Sequence, residues 1–90
     1  MATVKLPTQL RDAAGGSSAV DAGGATVGEV LEALYAQHEE LRDRLSDADG
    51  GLRRFVNVYV GGEDIRFGSG LDTPVAEGDE VQILPAVAGG

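Results

Sequence analysis

The chain has 90 residues, with 7 lysines and arginines against 15 aspartates and glutamates, and it has no cysteine. This length accommodates one small domain and excludes a large enzyme with a deep catalytic cleft. The net charge of −8 disfavours nucleic acid and anionic membranes as partners, and the lack of cysteine excludes disulfides, thiolate metal sites and a thiol nucleophile.

The N-terminal segment predicts two strands. Residues 3–6 alternate polar and apolar side chains before Pro7, which indicates a strand with Val4 and Leu6 facing the core. A polar, glycine-containing connection over residues 8–17 is expected to lead to a weaker strand at residues 18–22, which a Gly-Gly pair ends.

A helix is predicted to begin at Thr26. The Thr26 hydroxyl can accept a hydrogen bond from the amide of Glu29, and the Glu29 carboxylate can accept one from the amide of Thr26, as in a capping box. One apolar stripe follows at helical spacing: Val27, Val30, Leu31, Leu34 and Tyr35. Leu41 and Leu45 continue at i,i+4 spacing, so either the helix extends or a short second helical turn follows. His38 is interpreted as an exposed residue near the helix C-terminus.

The strongest strand signal lies at residues 55–60, where three valines alternate with Phe55, Asn57 and Tyr59. The valines are expected to face the core, which leaves a partly apolar second face for a cover or a contact. Gly61-Gly62 then predicts a hairpin to residues 63–67.

Residues 80–84 predict the last strand, with Val81 and Ile83 inward and Pro85 as its stop. Two strands, a helix and two or three further strands indicate an α+β domain, a ubiquitin-like β-grasp. We expect a mixed sheet of four to five strands with one main helix across one face. The first and last strands can pair in parallel at the sheet centre, so residues 1–85 form the domain and residues 86–90 a flexible, projecting tail.

The sequence predicts no catalytic residue, no metal site and no cofactor. His38 is the only histidine and cannot form a catalytic triad or a histidine-rich metal site alone. The carboxylates are spread over loops and a helix face, and residues 68–70 lack the lysine and context of a phosphate loop. No basic leader with an apolar run and no bilayer-length apolar stretch is present, so we expect a cytoplasmic protein.

The final Gly89-Gly90 is one of five Gly-Gly pairs and is distinguished only by its place. It follows a strand-stopping proline on a run without charged side chains (Ala86, Val87, Ala88), which suits threading into a narrow active site that a Cβ would block. Adenylation of the Gly90 carboxylate would make it an electrophile, and sulfide or persulfide attack would then give a thiocarboxylate. The alternative is a frayed, idle terminus.

The whole chain resembles the ThiS/MoaD superfamily of β-grasp sulfur carriers, and most of all its CysO type. Three segments carry the resemblance: residues 54–60 (RFVNVYV), 63–67 (EDIRF) and the ending 84–90 (LPAVAGG). The resemblance implies that Gly90 is adenylated and thiolated by an E1-like enzyme of the MoeB/ThiF type. It further implies that a PLP-dependent cysteine synthase uses the sulfur, and that a JAMM-type metallopeptidase releases the cysteine.

Several alternatives stay open at this stage. The thiocarboxylate could instead feed thiamine, molybdopterin or a sulfur-containing secondary metabolite, because the acceptor enzyme chooses the carbon. The chain could also be a ubiquitin-like protein modifier, or a non-covalent module with an unused tail. Phe55, Tyr59 and Leu84 are the candidate docking patch, with burial under a loop as the alternative.

Overall fold

The computed structural model describes residues 1–47, 51–53 and 56–85 and contains a mixed five-stranded sheet with helices on one face. The elements in chain order are β1 (Ala2–Lys5), α1 (Thr8–Arg11), a 3₁₀ turn (Asp12–Ala14), β2 (Ala19–Ala22), α2 (Val27–Gln37), α3 (Glu39–Leu45), β3 (Val56–Val60), β4 (Glu63–Asp64), 3₁₀ turns at Ile65–Phe67 and Gly70–Asp72, and β5 (Glu80–Pro85). The sheet order is β2-β1-β5-β3-β4. This arrangement confirms the predicted β-grasp.

The two-residue alternation of the strands decides which side chains enter the core. Val4 of β1 and Val81 of β5 are paired in the parallel ladder, and both are fully buried. Ile83 and Val58, paired between β5 and β3, are each only 1% exposed. The predicted parallel pairing of the first and last strands at the sheet centre is therefore confirmed, as are the inward faces predicted for β1, β3 and β5.

Helix α2 begins at the predicted cap, with one difference in the partner of Glu29. The Thr26 hydroxyl accepts from the Glu29 amide at 3.2 Å, as expected. The Glu29 carboxylate, however, accepts from the amide of Ala25 at 3.0 Å and not from that of Thr26. Thr26 itself forms an isolated antiparallel bridge with Pro74, so the segment before α2 is fixed by a distant loop as well as by its cap.

The apolar stripe of α2 is buried, and a second helix continues the pattern. Leu41 and Leu45 lie on α3 and are fully buried. The break falls at His38, whose backbone leaves the helical region (φ −139°, ψ 86°) while its amide still donates to the carbonyl of Leu34 at 2.9 Å. The open question of one helix or two is thus resolved in favour of two. His38 lies at the C-terminus of α2, as predicted, but it is half-buried at the junction and not exposed.

Two segments differ in detail from what the sequence predicts. The connection over residues 8–17, expected only as polar and glycine-containing, includes α1 and a 3₁₀ turn, and the 3₁₀ turn inserts Ala13 and Ala14 into the core. The second arm of the hairpin is shorter than predicted: β4 ends at Asp64, whose carboxylate accepts from the Arg66 amide at 2.8 Å and starts a 3₁₀ turn. Both segments are short turns that local polar caps and the burial of single apolar residues stabilise. Such turns have no repeating hydrophobic pattern, so periodicity does not predict them.

Candidate functional site

The candidate site is the end of β5, where the chain leaves the sheet towards its last five residues. β1 pairs with β5 only as far as Lys5 and Gln82, whereas β3 continues the pairing to Val56 and Pro85. The amide of Gly61 donates to the carbonyl of Glu80 at 3.3 Å on the β3 ladder.

Because hydrogen-bonded and non-hydrogen-bonded pairs alternate along an antiparallel ladder, Val56 and Pro85 form a non-hydrogen-bonded pair. A proline there costs the ladder no hydrogen bond, since its missing N–H would point to the side where β1 has already ended. Pro85 is consequently the last residue of β5 and not the first residue beyond it. The predicted functional residues Ala86, Val87, Ala88, Gly89 and Gly90 lie outside the described residues.

The face of the sheet opposite the helices, which we call the outer face, carries the side chains that alternate with the core. One row of paired residues on it crosses all five strands: Ala19, Lys5, Gln82, Tyr59 and Asp64. Each of these residues is at least partly exposed. The outer face is therefore a continuous surface that begins beside the end of β5.

Two of the three predicted docking residues share this outer face. Leu84 is 36% exposed and pairs directly with Asn57, while Tyr59 lies two residues further along β3. Tyr59 and Leu84 are thus diagonal neighbours, a spacing that aromatic and long side chains can bridge. Phe55 lies outside the described residues. No loop in the described part of the chain buries Tyr59 and Leu84, since both are at least partly exposed.

The charge of the outer face is mainly negative. Among the described strand residues, the one cation on this face is Lys5, and the carboxylates belong to Asp21, Glu80 and Asp64. The Asp21 carboxylate accepts from the Thr3 hydroxyl at 3.1 Å, which fixes it against the sheet. An acidic surface around a tyrosine and a leucine favours a partner that presents basic and apolar groups together.

The described part of the chain shows no apparatus for catalysis. Within it, no three His, Cys, Asp or Glu side chains cluster in a way that could hold a metal ion. Nor does it contain a helix with the length and apolar content that crossing a bilayer needs. The arrangement can present an acyl group to another protein, but it offers no paired acid and base of its own.

One titratable group has a perturbed pKa, and its role is structural. The pKa of Tyr35 is raised to about 12, mainly by burial and to a lesser degree by the charge of Glu32, while the charge of Arg42 acts in the opposite direction. The Arg42 guanidinium lies 5.2 Å from the centroid of the Tyr35 ring and pairs with Glu32 at 3.2 Å. Tyr35 lies on α2 in the hydrophobic core and far in sequence from the end of β5, so this cluster stabilises the helices.

Lys5 and Gln82 also lie on the outer face, although the sequence did not predict them as part of the candidate site. The signal was present, because each alternates with a predicted core residue. What it lacked was the strand order that places Lys5 and Gln82 in one row with Tyr59.

The chain matches the family model described as ThiS family over residues 4–90. The sulfur carrier protein CysO of Mycobacterium tuberculosis is 51% identical to it over 90 residues, covering 98% of this chain and 97% of the relative. The small archaeal modifier protein 1 of Haloferax volcanii is 39% identical over 88 residues, covering 96% of this chain and 97% of the relative.

The fold is also similar to that of a solved structure. A chain in the crystal structure of the BexX/CysO complex of Amycolatopsis orientalis superposes with a TM-score of 0.92 and 47% identity, covering 100% of both chains. The β-grasp architecture, the strand order and the position of the final strand are therefore those of known relatives.

Proposed function

Because this chain belongs to the ThiS family, we propose that it is a sulfur carrier protein that acts through the carboxylate of Gly90. The observation that carries the proposal is the family match through residue 90, joined to a central strand that ends at Pro85. Five residues without a charged side chain then separate the sheet from the reactive group. The chain is a co-substrate that other enzymes activate, and it is not itself an enzyme.

The proposed chemistry converts a poor electrophile into a sulfur donor in two steps. The Gly90 carboxylate attacks the α-phosphate of ATP, which gives the acyl-adenylate and pyrophosphate. Sulfide that attacks the carbonyl carbon expels AMP and gives the thiocarboxylate directly. A persulfide expels AMP and gives an acyl disulfide, which a thiol then reduces to the thiocarboxylate as a new disulfide forms. Glycine at positions 89 and 90 allows close approach of the enzyme's backbone, because neither residue has a Cβ.

The outer face supports the docking part of this proposal. Tyr59 and Leu84, together with Phe55, would bind the activating enzyme while residues 86–90 enter its active site. Leu84 precedes the tail by one residue, so contact there fixes the point from which the tail starts. Anchoring by partly exposed aromatic and aliphatic side chains is typical of protein interfaces.

The proposed partners are an E1-like enzyme of the MoeB/ThiF type, a PLP-dependent cysteine synthase and a JAMM-type metallopeptidase. The high identity to CysO of M. tuberculosis favours cysteine as the product, with thiamine, molybdopterin and secondary metabolites as alternative destinations. The CysO of A. orientalis occurs in a complex with BexX, which supports a mode of action through protein complexes. We place the protein in the cytoplasm, where thiols remain reduced.

Intact-mass analysis tests the proposal directly. The measured mass of the purified natural protein should first correspond to a chain whose last residue is Gly90. Incubation with an E1-like enzyme, ATP and a sulfur source should then add about 16 Da, the difference between sulfur and oxygen. Omitting ATP should prevent the gain, and so should deletion of Gly90, which should leave the melting temperature unchanged because a solvated terminal residue contributes little packing. A Gly90 deletion that keeps full sulfur transfer would refute the mechanism.

A second function is favoured by the similarity to the small archaeal modifier protein of H. volcanii. In that case activated Gly90 would be passed to a lysine of another protein instead of to sulfur. Self-linked chains would have Lys5 as their only side-chain attachment point. An isopeptide bond between Gly90 and a substrate lysine in cell extract would support this function, and its absence alongside an observed thiocarboxylate would favour the carrier.

A further inference from the structure

A groove of about 510 Å³ opens at the β4 edge of the sheet. It lies between the β3–β4 hairpin and the segment of residues 65–74 that crosses back to the start of α2. Val60 and Ile65 contribute apolar walls, and Glu63 and Asp64 lie on its rim. This groove has no part in the proposed sulfur chemistry.

Phe67 stands at this groove with 92% of its surface exposed, more than any other large apolar side chain in the described part. Its position does not come from a loose loop. Ile65, two residues earlier, is buried in the core, and the Asp64 carboxylate caps the turn that carries both. A fixed turn therefore keeps the aromatic ring exposed to water. This exposure of apolar surface is unfavourable, and contact with another molecule would relieve it.

A polar group without a partner lies in the same groove. The Thr73 hydroxyl is buried, and it makes no hydrogen bond with any residue that the structure describes. The Thr73 carbonyl is occupied, since it accepts from the amide of Val27 at 3.0 Å. Buried hydroxyls nearly always have partners, so we expect a segment bound at Thr73 to supply one after a small opening of the groove wall.

The negative charge of Glu63 and Asp64 on the rim of the groove favours a basic partner. Among the described residues, neither Glu63 nor Asp64 takes part in an ion pair, and one Asp64 oxygen already caps the turn. The neighbouring Arg66 sends its guanidinium to the carbonyl of Val56 at 3.0 Å. With a net charge of −8, a second copy of the chain or another acidic protein would be repelled.

We propose that this groove is a second docking surface, for a basic segment of a partner protein in which an apolar side chain is flanked by arginine or lysine. The apolar side chain packs on Val60, Ile65 and Phe67, the flanking cations meet Glu63 and Asp64, and the segment's backbone bonds to the Thr73 hydroxyl. Val60 is four residues along β3 from Val56, a distance of about 13 Å from the start of the tail. The groove is therefore separate from the point where the chain leaves the sheet.

The proposal does not depend on the sulfur-carrier function and is tested without it. The ¹⁵N-labelled full chain is titrated in an NMR experiment with the peptide acetyl-Arg-Leu-Lys-Arg-amide and, separately, with acetyl-Glu-Leu-Glu-Glu-amide. The basic peptide should give saturable shifts at the amides of Val60, residues 63–68 and Thr73. The acidic peptide should give none. Equal shifts with both peptides, or shifts confined to the outer face, would overturn the proposal.

Three variants identify the contacts. Phe67→Ala should weaken binding of the basic peptide about tenfold, as expected for loss of an aromatic anchor. The variant should remain folded because the ring is exposed. Glu63→Lys should weaken it about two- to fivefold. The matched control Glu39→Lys makes the same charge change on the exposed start of α3, where no ion pair is found in the described ranges, and should leave binding within twofold. Unchanged binding by Phe67→Ala, or equal losses for the two lysine variants, would contradict the proposed site.

Discussion

Substitution of Gly24 by alanine is expected to destabilise the domain through a steric clash with α2. A Cβ built on Gly24 would lie 2.6 Å from the amide nitrogen of Val30 and 2.8 Å from the carbonyl carbon and the Cβ of Glu29. Two of these three atoms belong to the backbone of the first helical turns, and they cannot swing away as the end of a long side chain can. Gly24 also precedes Ala25, whose amide bonds to Glu29 and whose carbonyl accepts from Val75.

The magnitude follows from what must move. Val30 is fully buried, so a shift of its backbone displaces a core side chain and strains the cap of α2. Overpacking of this kind costs about 1–3 kcal/mol. In a domain of this size each kcal/mol corresponds to roughly 4–8 °C, so the melting temperature should fall by about 5–20 °C.

Gly23 provides the matched control, because a Cβ there meets nothing within 4 Å. Gly23→Ala should be neutral or stabilise by up to about 1 kcal/mol, since alanine reduces the entropy of the unfolded chain. Urea denaturation and thermal melts followed by circular dichroism would measure both variants. Equal stabilities of the two variants would refute the close approach of this glycine to the helix.

Three further predictions concern the core, a buried phenol and the docking face. Val58→Asp should cost several kcal/mol and unfold much of the protein in circular dichroism, because it buries a carboxylate where 1% of the side chain is exposed; Asn57→Asp, on the outer face, should stay folded. Burial raises the pKa of Tyr35 from 10 to about 12, so its contribution to stability is intact below pH 10 and is lost as the pH rises through 12. Between pH 10 and 12 the free energy of unfolding, measured by urea denaturation, should therefore fall by about 2–3 kcal/mol in the natural protein, and Tyr35→Phe should abolish this fall. A fall of the same size in the variant would contradict the prediction. Tyr59→Ala should slow thiocarboxylate formation about tenfold at an unchanged melting temperature, with Tyr59→Phe closer to wild type; equal rates for all three proteins would remove Tyr59 from the docking surface.

Much of the fold can be predicted from the sequence because its signals are local. Alternation identifies β1, β3 and β5 and their inward faces, since a pleated strand has a strict two-residue period. The Thr26 cap fixes the start of α2, and the i,i+4 spacing of Leu41 and Leu45 indicates that helical structure continues. The same alternation places Tyr59, one of the candidate docking residues, on the face opposite the core valines.

Segments without periodicity could not be predicted in this way. The turns of α1 and of residues 12–14 are too short and too polar to show a helical pattern, and they form because Ala13 and Ala14 find space in the core. The break at His38 likewise has no glycine or proline to announce it. It lets α2 and α3 each bury their apolar residues in different directions.

The sequence by itself determined the strands, the capped helix and the family to which the chain belongs, because these depend on residue type and spacing along one segment. Only the tertiary structure decided that Lys5, Gln82 and Tyr59 share a row, and that Phe67 and Thr73 line the same groove. Such surfaces join residues far apart in the chain. Their composition depends on strand order and on the return path of loops, which are set by how the whole core packs and not by any local preference.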